Sequence, residues 1–325
     1  MLQLFRKNLF FTTFLIFPYA MVLHLGTWLG QFQEPSYESD WIYHQLFGSI
    51  SWSIQSSFIV SSLLIAIQAI MINRIVIHLK LNPEGQLFAG IFFIILCGFH
   101  HSTLALSPIL VANLFFCGAL YSVFDIYIRK NVPFHLYNFG FMIGLASLFY
   151  VPYYIFIFFG VLALVILRGF VLREFFQILF GFFNVYFLVF VLFYVLNLNQ
   201  VFMDTQIKSY FSPYMFSMEL TSKGWVAFGI IFILFIICLI QFSFFQIKRT
   251  INIQKYYDLI FWCLFISLFS LFFLKVVSVS HLLMFITPLS ILLGLLITKI
   301  KNSLFEETLH LIFVLTALFL QFQNW

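Results

Sequence analysis

The chain is poor in charge. Asp, Glu, Lys and Arg make up only 8% of its 325 residues, against about 25% in an ordinary globular domain. With 63% hydrophobic residues and a mean hydropathy of +1.07, it has too little polar surface to cover a water-soluble core of this size. A soluble enzyme or binding module is therefore excluded. Cysteine is scarce too. Cys97, Cys117, Cys238 and Cys263 sit in apolar runs with no CxxC pair, which reads as buried thiols rather than a zinc or redox site. There is no nucleotide-binding glycine loop, no HExxH and no GxSxG. The basic-then-apolar start, MLQLFRKNLFFTTFLIF, lacks a small-residue cleavage site and reads as a retained first span.

What the chain has is apolar length. Phe alone supplies 50 residues, spread through stretches of the roughly 20 apolar residues that a membrane helix needs. Such stretches lie near 9–30, 56–78, 86–104, 108–127, 135–150, 151–168, 175–197, 224–246, 257–276, 279–298 and 303–323. The fifth and sixth are separated only by YVPYY, where Pro152 disfavours helix at the residue before it; a hairpin and one kinked helix both remain open. With the N-terminus cytoplasmic, 13 of the 16 Lys and Arg fall inside, and only Lys208, Lys223 and Lys275 fall outside. This is the positive-inside pattern. The expected fold is all-α: a polytopic transmembrane helical bundle of about eleven spans, forming one integral membrane domain over 1–325. It sits in a bacterial inner membrane with a periplasmic C-terminus. The net charge of +5 is mostly this topological signal, so no nucleic-acid partner is called for.

The two longest polar stretches, 31–55 and 198–223, both fall outside, so chemistry is expected on the outer face. The first holds Glu34, Glu38, Asp40 and His44. It continues through Trp41, Leu46, Phe47, Ile50 and Trp52 as an amphipathic tract suited to lie as an interfacial helix over 41–55. The plain reading of these acids is a solvated loop. At the outer end of the third span stand His100 and His101, whose helical neighbours' angle of about 100° does not favour joint ligation of one metal. Two readings stand for them: polar residues at the headgroup boundary, or donors to a lipid phosphate and proton shuttles. Lys275 breaks the charge rule near the outer end of the ninth span; it either snorkels to the interface or serves a site. His281 follows it, and His24 lies near the outer end of the first span.

Other polar residues read as structural. Asp125 and Arg129 have ion-pair spacing on a helix. Asn113, Asn138, Asn184, Gln68 and Gln241 suit interhelical hydrogen bonds, and Gly140 and Gly144 form a GxxxG face for close packing inside the bundle or in a dimer. The shortage of buried charge argues against an ion-coupled pump.

Three stretches across roughly 56–197, LSPILVANLFFCGALYSVFDIYIRKN, FGFMIGLASLFYVPYYIFIFFGVLAL and LREFFQILFGFFNVYFLVF, resemble an uncharacterised polytopic membrane-protein family of Bacteroidota. Their order of features also resembles the multi-spanning GT-C-type glycosyltransferases. That resemblance implies a polyprenyl-phosphate-linked sugar as donor, with Asp40 or Glu34 as catalytic base or metal-contacting acid and Glu38 as a third acid. It implies that His100, His101, Lys275 and His281 contact the donor phosphate. No cofactor or metal site follows from the residues themselves, although transferase chemistry leaves room for a divalent metal. The alternative is a non-catalytic membrane subunit or scaffold of an envelope, secretion or motility complex, with a membrane-protein partner. A third reading is a transporter of lipids or small molecules.

Overall fold

The helices that these apolar runs predict are present. A computed structural model describes residues 2–6, 10–29, 41–48, 53–82, 85–127, 132–204, 208, 217–218, 220–243, 250–273, 276–300 and 302–322. Among them the chain is all-α, apart from a two-residue parallel bridge pairing Ser217 with Val276 and Met218 with Val277. We name the apolar helices α1 (Phe11–Leu23), α2 (Ile54–His78), α3 (Phe88–Cys97), α4 (Pro108–Phe124), α5 (Val132–Phe149), α6 (Val151–Leu167), α7 (Leu172–Val195), α8 (Ser222–Ile240), α9 (Ile251–Ser270), α10 (Leu282–Ile297) and α11 (Ser303–Phe322). Seven of them, α2, α5 and α7 to α11, are by length and composition able to cross a membrane; α1, α3, α4 and α6 are shorter. The apolar helices make this an integral membrane protein.

Local chemistry sets the helix ends. Ser53, Ser107 and Thr221 cap α2, α4 and α8 by accepting the amides of Ser56, Leu110 and Gly224, which satisfies donors that a helix start leaves open. Pro108 follows its cap at the first helical position, where no donor is lost. The chain breaks after α6 at Gly169, whose φ of +90° is left-handed and cheap only for glycine.

Between α5 and α6 the backbone at Tyr150 is extended, and a 3-10 turn over Val151–Ile155 precedes the rest of α6. Phe139, in the middle of α5, meets Phe159 with ring centroids 6.3 Å apart. The two segments therefore fold back on each other as a hairpin, which settles the alternatives that YVPYY leaves open.

Helices α10 and α3 form the centre. The stretch Val279–Ile297 is 94% buried, whereas α7 and α11 bury only 28% and 22% of theirs. A β-carbon on Gly294 would stand 2.6 Å from the Ala89 backbone, so α10 and α3 touch main chain to main chain. Pro288 inside α10 cannot donate to the Met284 carbonyl. Ser267 Oγ of α9 lies 3.2 Å from that carbonyl and shares its proton between it and the Cys263 carbonyl of its own helix, at 2.8 Å. Gly140 and Gly144 of α5 face the backbone of α7 at Ile178 and Phe182, which makes the GxxxG an internal packing face.

The apolar interior is tied by amides. Asn113 donates to Gln68 Oε1 at 2.8 Å and accepts from Tyr153 (3.1 Å) and Thr287 (3.0 Å), joining four helices. Asn138 bonds Ser122, and Asn184 bonds Tyr137.

Contacts between loops sort them into two groups. At one end, Leu87 donates to the Phe5 carbonyl, Tyr127 to Asn252, Lys255 to the Leu167 carbonyl and Tyr257 to the Leu81 carbonyl. At the other end, Tyr43 donates to the Leu106 carbonyl, and Gln321 donates to the carbonyls of Leu23 and Gly98. Residues 41–48 are helical there, as a turn at Trp41–Tyr43 and a wider π turn at His44–Gly48. Residues 49–52 of the expected interfacial helix lie outside the described residues.

Candidate functional site

At the Tyr43 end, α3 stops at Cys97, and the chain makes a tight turn before Ser107 caps α4. Thr103 fixes that turn, its hydroxyl lying 2.6 Å from the carbonyls of both Cys97 and His100. His100 caps the short helix His101–Leu104 from an extended backbone, and its Nδ1 accepts the Ser102 amide at 3.2 Å. Its ring lies against that of His101, centroids 4.2 Å apart. His100 is 5% exposed, and His101 is half-buried.

Two further elements close on this turn. The turn Val279–His281 packs against His101–Leu104 and against the start of α8. His281 is buried there, with Nδ1 2.9 Å from the amide and the hydroxyl of Ser278 and its ring 5.3 Å from that of Tyr150. Helix α8 brings Lys223, which lies close enough to act electrostatically on both His100 and His101. Sequence reasoning gave Lys223 no role, because about 120 residues separate it from the histidine pair. Its one signal was being a lysine on the lysine-poor side.

Burial, then His101 and then Lys223, hold the His100 imidazole far below its ordinary range, at about 3. Burial and then Lys223 lower His101 as well. Both rings are therefore neutral near pH 7. Since Nδ1 of His100 accepts a hydrogen bond, its single proton resides on Nε2. That Nε2 is buried and has no hydrogen-bond partner among the described residues. An orphaned buried donor costs roughly 1–3 kcal/mol, and with the charge of Lys223 within electrostatic reach it is suited to an anionic oxygen.

Of the expected site residues, the fold brings His101 and His281 onto touching turns, with His100 beside them. Glu34, Glu38, Asp40 and Lys275 lie outside the described residues. His24 is buried at the joint after α1. Among the described residues no group of three His, Cys, Asp or Glu is arranged to hold a metal ion.

The opposite end holds a second polar cluster. Asp125, 1% exposed, lies 2.5 Å from His78 Nε2 and 3.9 Å from His135 Nδ1. The sequence spacing pointed to Arg129, which lies outside the described residues.

The chain matches no protein-family model, no curated protein and no solved structure.

Proposed function

We propose that this is a bacterial inner-membrane protein of eleven spans that binds a lipid-linked phosphate at its outer face. By its resemblance to GT-C-type enzymes, it acts as a transferase on a polyprenyl-phosphate-linked sugar. The observation that carries the reading is the buried Nε2–H of His100, without a partner among the described residues and within electrostatic reach of Lys223. A phosphate oxygen would accept from the first and neutralise the second. A ring titrating near 3 is a poor proton shuttle at neutral pH, so the histidines serve as hydrogen-bond donors. The topology has a cytoplasmic N-terminus and a periplasmic C-terminus, with the helical turns from Trp41 onward lying in the outer interface. Lys275 and His281 complete the phosphate-binding set.

Catalysis falls to the first outer loop. Asp40 leads directly into the turn whose Tyr43 is anchored beside the histidine loop, through the Leu106 carbonyl. In this reading Asp40, with Glu34 and Glu38, takes the proton of an acceptor hydroxyl, or holds a divalent metal if the transfer uses one. The phosphate group leaves against His100, His101 and Lys223.

The test is retention of a polyprenyl phosphate by purified protein. His100→Phe and Lys223→Gln should each lower affinity about tenfold, a loss of roughly 1.4 kcal/mol. Undiminished binding in both variants would sink the phosphate site. Sugar transfer lost in Asp40→Asn with lipid binding kept supports the transferase. A wild type that binds the lipid but transfers nothing establishes the non-catalytic subunit instead.

A further inference from the structure

At the end of the bundle opposite His100, the last two turns of α2 form one wall of a cavity of about 800 Å³, and α1 forms the facing wall. Residues 70, 71, 73, 74, 77 and 78 line it from α2 at the spacing of a single helical face. The two ends of α2 lie about 37 Å apart, so this cavity is separate from the histidine site.

Its chemistry is divided. Phe14 and Phe17 make an apolar side, while Asn73, Arg74, His78 and Tyr121 supply polar groups. Arg74 is exposed and has no carboxylate partner among the described residues. Asn73 is 2% exposed, and its orientation is fixed because Oδ1 accepts the Gly90 amide at 2.7 Å. That leaves Nδ2 as a buried donor without a partner among the described residues. Asp125 takes contacts from His78 and His135, and among the described residues no ion pair joins it to Arg74. A guanidinium, an orphaned amide donor and an apolar wall together fit an amphiphile with a phosphate head.

We propose that this cavity binds the phosphate of an anionic amphiphile, with Arg74 pairing the phosphate, Asn73 Nδ2 donating to it, and Phe14 and Phe17 taking the start of its hydrocarbon chain. The site is independent of the one at His100.

Native mass spectrometry of the full chain released from detergent, with added phosphatidylglycerol, phosphatidylcholine or inorganic phosphate, tests it. The wild type should retain phosphatidylglycerol, and Arg74→Gln should lower the occupancy of one bound copy at least fivefold. Arg74→Lys should recover most of it. Arg74 is exposed, so the lipid-free melting temperature should not move. His100→Phe should leave this copy in place. Competition by millimolar inorganic phosphate would show that the phosphate group alone is recognised, and its failure to compete would show that the hydrocarbon chain is also read. Full retention in Arg74→Gln, or equal retention of phosphatidylcholine, would overturn the proposal.

Discussion

Gly224 lies directly against Val279: a β-carbon on the glycine would stand 2.7 Å from Val279 Cγ2. This contact packs the start of α8, where Lys223 lies, against the turn carrying His281. Gly224→Ala should cost about 1–3 kcal/mol, the usual range for overpacking. Val279→Ala in the same chain should recover part of that loss, a coupling that thermal melting of the two single variants and the double variant will measure. Additive losses would show that the two residues do not meet.

Stability should fall with acid. The folded His100 titrates at about 3, whereas an unfolded histidine titrates near 6.5. Below pH 6.5 the unfolded chain takes up the proton first, so stability complete above that pH is lost as the pH drops towards 3. At pH 5.5 the loss from His100 is about 1 kcal/mol, and His101, also lowered, acts in the same direction. Melting at pH 7.5 and 5.5 measures the drop, which should shrink in His100→Gln. An equal drop in that variant would mean that His100 is not the titrating group.

Two helix glycines should behave in opposite ways. Gly140 of α5 abuts the Ile178 backbone, while Gly229 of α8 has nothing within 4 Å of where a side chain would start. Gly140→Ala should destabilise by about 1–3 kcal/mol. Gly229→Ala should be neutral or gain up to about 1 kcal/mol. Chemical unfolding in mixed micelles will rank the two.

Asn113 holds together four helices. Asn113→Ala removes partners from Gln68, Tyr153 and Thr287 at once. Interhelical hydrogen bonds in membranes are worth about 0.6 kcal/mol each on average, so a total loss of about 2 kcal/mol is expected. A loss no greater than that of Ser122→Ala, which breaks one such bond, would contradict the network.

The topology can be read by labelling. All four native cysteines are buried, so engineered ones report cleanly. A cysteine at exposed Ser53 should react with an impermeant maleimide from the periplasm, and one at exposed Asn302 only after the membrane is opened. The reverse pattern would invert the proposed orientation.

The helices were legible because an apolar stretch long enough to span a bilayer has few other ways to satisfy its backbone. The roles of Gln68, Asn113 and Gly140 were legible for a related reason: an amide or a bare backbone in an apolar run has to meet another helix. Partnerships across long sequence distances were not. Nothing local couples Lys223 to His100, or Ser267 to the carbonyl that Pro288 leaves free. Asp125 adds a further case: its contacts with His78 on α2 and His135 on α5 have no local signal, while the spacing that points to Arg129 concerns a residue outside the described ones.

The enclosed position of α10 also constrains how the molecule is built. It follows α3, α8 and α9 along the chain, yet it is enclosed by contacts with all three. A nascent chain ending before Val279 must therefore keep its earlier helices apart, or hold a berth open among them. Only when the late helix slides in can Gly294 meet Ala89 and Thr287 reach Asn113. Those two contacts, at least, cannot form before α10 is in place, so the packing at the centre of the bundle waits on a helix that is made after most of its neighbours.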